Sequence, residues 1–146
     1  MNRYYRWMFL VLLLASSTVP AALTIEITQG MEGAIPVAVV PFGWSGGTAS
    51  APENIAAIIS ADLNRSGRIE TLSDSDLIAH PTEGAQVKFQ NWRMVKADDL
   101  VIGKLTGNAD GSFNVQFELY DVIRGKQLIG SSFPASRDDL RRVAHH

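Results

Sequence analysis

Gly43-Trp44-Ser45-Gly46-Gly47 is the stretch whose residue types and spacing could do chemistry. G-x-S-x-G is the pattern of a nucleophile elbow, a sharp strand-to-helix turn that presents a serine hydroxyl for attack on an acyl carbon. A base for Ser45 would have to be His80, His145 or His146. The elbow needs the helix to begin at the serine, whereas a Gly/Thr/Ala/Ser stretch intervenes here up to Ser50. The chain is also shorter than an α/β-hydrolase, and two glycines around a serine arise readily in loops. Ser45 is therefore read as a loop residue, and a small periplasmic serine hydrolase stays as the alternative function.

Metal chemistry has a similar standing. Asp74, Asp76 and His80 could be imagined as ligands, but Ser-Asp-Ser-Asp more naturally caps backbone donors in a short helix or turn. Asn108 to Gly111 lacks the ligand spacing and terminal glutamate of a calcium loop. With no cysteine, a disulfide scaffold, a Cys-ligated zinc and a thiol nucleophile are all excluded. No phosphate-cradling glycine motif and no convergent polar cluster for a solute are present. The reading is therefore no catalytic, metal or cofactor site. Trp44 and Trp92 are read as core residues, Trp44 lying in a glycine-rich loop where an indole can also meet an interface.

The elements that position these residues begin with an export signal. Arg3 and Arg6 precede an unbroken apolar run from Trp7 to Ala15, and Val19-Pro20-Ala21-Ala22 offers small residues to a signal peptidase. The run is shorter than the roughly 20 residues of a membrane span. Residues 1–21 are expected to be removed, with cleavage after Ala21 or Ala22, leaving a periplasmic protein that is not membrane-embedded. That takes away two of the 13 basic residues and none of the 15 acidic ones, so the charge moves from −2 to −4. No basic face for nucleic acid is expected.

Leu23 to Thr28 alternates apolar and polar residues, and Gln29-Gly30-Met31-Glu32-Gly33 follows with two glycines. Residues 22–33 are read as a flexible arm. Ile35 to Phe42 predicts a strand buried on both faces. Ser50-Ala51-Pro52-Glu53 reads as a capping box opening a helix whose Ile55, Ile58, Ile59 and Leu63 face a core, and Gly67 closes it. Ile69 to Leu72 suggests a short strand, residues 73–86 an irregular polar stretch, and Val87 to Ala97 a second helix around Trp92 and Val95. Asp99 to Thr106, the alternating Phe113-Val115-Phe117-Leu119 and Gln127 to Phe133 predict an antiparallel meander with one face open to water. Ser136 caps a last helix with Leu140 and Val143 on one face, and that helix reads as cut short at His146. The fold class is thus α/β (α+β): a small mixed sheet with a C-terminal antiparallel meander, packed by two to three helices, over residues 34–146.

Ile35-Pro36-Val37-Ala38-Val39-Val40-Pro41-Phe42 with Trp44 resembles the N-terminal domain of the TolB family, the periplasmic component of the Tol–Pal envelope system. The likeness continues through Ile58, Ala61-Asp62-Leu63 and Ser66-Gly67. It runs on through Trp92, Ala97-Asp98, Val101-Ile102-Gly103, Asp110 to Val115, Leu119, Leu140-Arg141 and Ala144-His145. The resemblance implies a protein-interaction module that supports outer-membrane integrity and invagination during cell division. It implies two partners. The C-terminal domain of TolA would bind the N-terminal arm, at Leu23, Thr24, Ile25, Glu26, Ile27, Thr28, Gln29 and Gly30. Pal would bind mainly through a six-bladed β-propeller that this chain does not contain.

Overall fold

A computed structural model describes residues 33–145. The signal segment 1–21 and the arm residues Leu23 to Gly30 lie outside the described residues. The chain order is β1 (Ile35–Val39), β2 (Gly43–Ser45), α1 (Ile55–Arg65), β3 (Ile69–Thr71), α2 (Phe89–Met94), β4 (Asp99–Gly107), β5 (Phe113–Asp121), β6 (Lys126–Ala135) and α3 (Leu140–Val143). Single 3₁₀ turns occupy Asp74–Asp76 and Gly84–Gln86. Hydrogen bonding orders the sheet β3-β1-β4-β5-β6, with β2 also on β4. β1 is parallel to β3 and β4, while β4, β5 and β6 form the antiparallel meander expected from the alternation.

Because successive side chains in a strand point to opposite faces, two cores form. On one face Ala38, Val40, Leu100, Ile102, Tyr120 and Val122 meet Trp92 and Ala97, all buried. On the other, Ile55 and Leu140 meet Leu105, Phe113, Val115 and Ala135, and the cluster of Val37, Val39, Ala56 and Val101 adjoins them. β4 is therefore buried on both faces, unlike the half-wet strand that the meander pattern predicts. Only the stretch Asn114, Gln116, Glu118 of β5 keeps the polar alternation.

Several boundaries differ from expectation. The α1 cap is Asn54, whose Oδ1 accepts from the Ala57 amide at 3.1 Å, in place of the Ser50 capping box. Asparagine is at least as good a cap as serine, and Glu53 turns instead toward Arg141. Pro52 consequently sits in the approach loop. Gly43 to Ser45 is a strand and not a loop: β2 pairs with Lys104–Thr106 beyond the point where β1 leaves β4 at Val101. The helix expected over Val87 to Ala97 is confined to Phe89–Met94. Lys96 takes a left-handed backbone at φ 60°, which ends it. Gly67 closes the α1 segment as expected, at φ 69°. Ser136 caps the turn before α3: its Oγ accepts from the Asp139 amide at 3.3 Å and donates to Asp139 Oδ2 at 2.6 Å.

Candidate functional site

Where the sheet face beneath α1 widens toward β6, the helices do not cover it. An apolar groove of about 380 Å³ opens there. Its floor is Val37, Val101, Phe117, Leu119 and Ile129, and its walls are Ile55, Ile59 and Leu63 of α1 with Val143, Ala144 and His145 at the end of α3. Among the described residues, α1 and the single turn of α3 cover only part of this sheet face. Ile129, on the edge strand β6, is half exposed as a result.

Charge is confined to the lip. Asp62 of α1 accepts from Arg65 at 2.7 Å and contacts the His145 ring. The His145 hydrogen bond, aided by Arg65, holds the Asp62 carboxyl below the usual range despite some desolvation. Arg141 reaches Glu53 at 3.4 Å, so α3 touches the α1 segment at two charged points. Across the groove Asp99 is pushed upward, first by burial and then by Asp121 and Asp98. Asp121 itself is held low, because its Oδ1 accepts from the Arg124 amide at 2.7 Å and its Oδ2 from the guanidinium at 2.6 Å. On the opposite sheet face burial and Glu118 push the Tyr120 hydroxyl up to about 12, and it donates to that carboxylate at 2.5 Å.

The residues singled out from sequence are not brought together. Ser45 is the exposed last residue of β2, ten residues before α1 begins, and it makes no hydrogen bond to a histidine among the described residues. His145 is engaged with Asp62, and His80 lies exposed between the two 3₁₀ turns. Asp74 and Asp76 form one of those turns, with Ser73 Oγ donating to Asp76 at 2.6 Å. Among the described residues no three of His, Cys, Asp and Glu are grouped to hold a metal. Asn108 to Gly111 is a tight turn whose Asp110 accepts from the Ser112 amide at 2.9 Å. Trp44, read as core, is half-buried and packs against the core: its ring lies 6.2 Å from that of Phe113, and its Nε1 donates to the Thr48 carbonyl at 2.9 Å. A β-carbon at Gly46 would collide with the indole, so Gly46 seats Trp44. The groove itself was missed. No local pattern in the sequence marks it, because it arises from how the helices lie over the sheet.

Comparison with known proteins agrees with the geometry. The TolB amino-terminal domain family matches residues 23–128. The chain is 47% identical over 145 residues to the Tol-Pal system protein TolB of Thioalkalivibrio sulfidiphilus, covering 99% of this chain and 33% of that protein. It is 44% identical to the same protein of Nitrosococcus oceani, covering 93% of this chain and 31% of that one. The crystal structure of TolB from Acinetobacter baumannii superposes with a TM-score of 0.61 at 28% identity, over 77% of this chain and 26% of that chain. This chain thus spans about a third of the length of the curated relatives it matches. By the family match, which takes in most of its residues, the chain belongs to the TolB amino-terminal domain family.

Proposed function

We propose that this chain is the N-terminal protein-interaction domain of a Tol–Pal component, acting by docking and not by catalysis. The TolB family to which it belongs is periplasmic, and its relatives bear the names of Tol–Pal system proteins, not of an enzyme family. Among the described residues no helix is long and apolar enough to cross a membrane. The layout proposed is a signal peptide over residues 1–21, an arm over residues 22–33 and the folded domain over residues 34–146. The role proposed is support of outer-membrane integrity and of invagination at division.

The observation that carries this reading is the family match beginning at Leu23. It supports taking the alternating segment Leu23 to Thr28 as part of the domain and not of the leader. In the proposal residues 23–30 bind the C-terminal domain of TolA, with main-chain bonds to a sheet edge giving affinity and Ile25 or Ile27 filling its pockets. Pal is engaged mainly by the propeller that the longer relatives would supply. Chemical cross-linking in the periplasm tests the reading: TolA should be captured through positions 23–30. Labelling of Ser45 by a serine-reactive probe, with no such capture, would favour the hydrolase instead.

A further inference from the structure

We infer that the end of α2 and the turn after β5 together form a docking surface for an anionic phospholipid headgroup layer. Two segments distant in sequence build it. Arg93 of α2 donates through Nε to the Val122 carbonyl at 3.0 Å. A β-carbon at Gly125 would lie 3.6 Å from the Phe89 ring, so the turn rests on the helix. Behind them Trp92 and Val122 are buried in one core, which fixes the side that each segment turns outward. Met94 comes two residues after Trp92, on the opposite side of the helix, and Ile123 follows Val122. These are the two most exposed large apolar side chains among the described residues, at 75% and 59%.

Cations surround them. Lys88, Arg93 and Lys96 lie in and beside α2, and Arg124 and Lys126 lie in and after the turn, all exposed. Arg124 is matched by Asp121 at 2.6 Å, whereas Lys88, Arg93, Lys96 and Lys126 enter no ion pair among the described residues. Asp98, whose carbonyl accepts from the Val122 amide at 2.8 Å, is the one exposed acid within residues 88–98 and 121–126. The patch is thus cationic on a chain whose net charge is −2. Lys96 holds a left-handed backbone, φ 60°, that glycine would take without strain. A lysine kept at that cost points to a use for its charge. Two apolar side chains set among cations are too little for the dry centre of a protein interface, from which lysine is also depleted. An anionic bilayer surface suits them better. The ammonium groups reach the phosphates from the ends of their apolar stems, and Met94 and Ile123 enter the headgroup boundary.

Sedimentation of the mature chain with lipid vesicles tests the proposal. Vesicles of equal parts phosphatidylglycerol and phosphatidylcholine should carry the chain down at low salt, and vesicles of phosphatidylcholine alone should not. Salt at about 1 M, where the screening length is about 3 Å, should release it. Lys88→Gln, Lys96→Gln and Lys126→Gln should each lower the partition roughly five-fold. Met94→Ser combined with Ile123→Ser should lower it roughly ten-fold or more. All five positions are exposed, so thermal melts of these variants should match the wild type and separate lost binding from lost folding. Equal sedimentation with both vesicle types, or with neither, would overturn the proposal. So would lysine variants that sediment like the wild type. Retention on immobilised polyglutamate without sedimentation on the anionic vesicles would overturn it too, and would assign the surface to an acidic protein.

Discussion

The apolar cores on the two faces of the sheet are built from the same strands, yet the one around Trp92 is sealed and the one beneath α1 opens into a groove. On the α2 side every member of the cluster around Trp92, Leu100 and Ile102 is at most 7% exposed, and Leu72, Leu77, Val87, Phe89 and Val95 close over it. On the α1 side the cluster is as tight near Leu105 and Phe113, but it gives way to the groove at Phe117, Leu119 and Ile129. The difference lies in what covers each face. The segment from Leu72 to Val95 has no long helix and folds to the shape of its face. On the other face helices of 11 and four residues, as described, cover only part of the sheet and leave a gap. Both cores contribute to stability, and the open one has surface to spare for other contacts.

Substitutions can break that contrast. Trp92→Ala empties the sealed face of its largest buried side chain and should cost about 3–5 kcal/mol. Ile55→Ala, at a residue 2% exposed, should cost about 2–5 kcal/mol. Ile59→Ala should cost less than Ile55→Ala, because both line the groove but Ile59 is only partly buried. Urea midpoints of the three variants, read with their slopes, check the order. An Ile59 loss as large as that of Ile55 would mean that the groove is closed in solution. Ile129→Ser, at a half-exposed edge position, should move the midpoint by no more than about 0.5 kcal/mol.

Acid gives a finer test. Asp121 and Asp62 titrate below their unfolded range, so each contributes stability that is present above the unfolded value near pH 3.8 and is lost as pH falls through the lower folded one. Asp99 is shifted upward and opposes them: it favours the fold when protonated and costs stability above its raised value. Asp121→Asn should therefore flatten the loss of stability in acid, and Asp99→Asn should steepen it. Thermal melts between about pH 3 and about pH 6 read both. A steeper acid loss in Asp121→Asn would contradict the assigned directions.

How far the sequence carried these conclusions depends on the kind of signal. The strict alternation Phe113-Val115-Phe117-Leu119 identified β5 and its buried face, because a one-residue slip would turn every one of those side chains to water. The fold class and the family likeness were legible for the same reason: both rest on ordered series of apolar positions. The cap of α1 was misplaced because Ser50 and Asn54 are both good caps, and only the tertiary reach of Glu53 to Arg141 distinguishes them. β2 was hidden because Gly-Trp-Ser carries no strand pattern of its own. It is a strand by virtue of pairing with Lys104 to Thr106. The groove could not be seen at all, since it arises from the width of two helices over a sheet, which no local pattern encodes.

The most direct test of the proposed docking role is calorimetry of the TolA C-terminal domain against the mature chain and against a form lacking residues 22–33, with thermal melts of both. The account predicts saturable heat with the mature chain, none with the shortened one, and superimposable melts, because among the described residues both cores are built from residue 37 onward. Equal binding by the two proteins would contradict an arm that carries the contact. Loss of the melting transition on truncation would show that the segment belongs to the core.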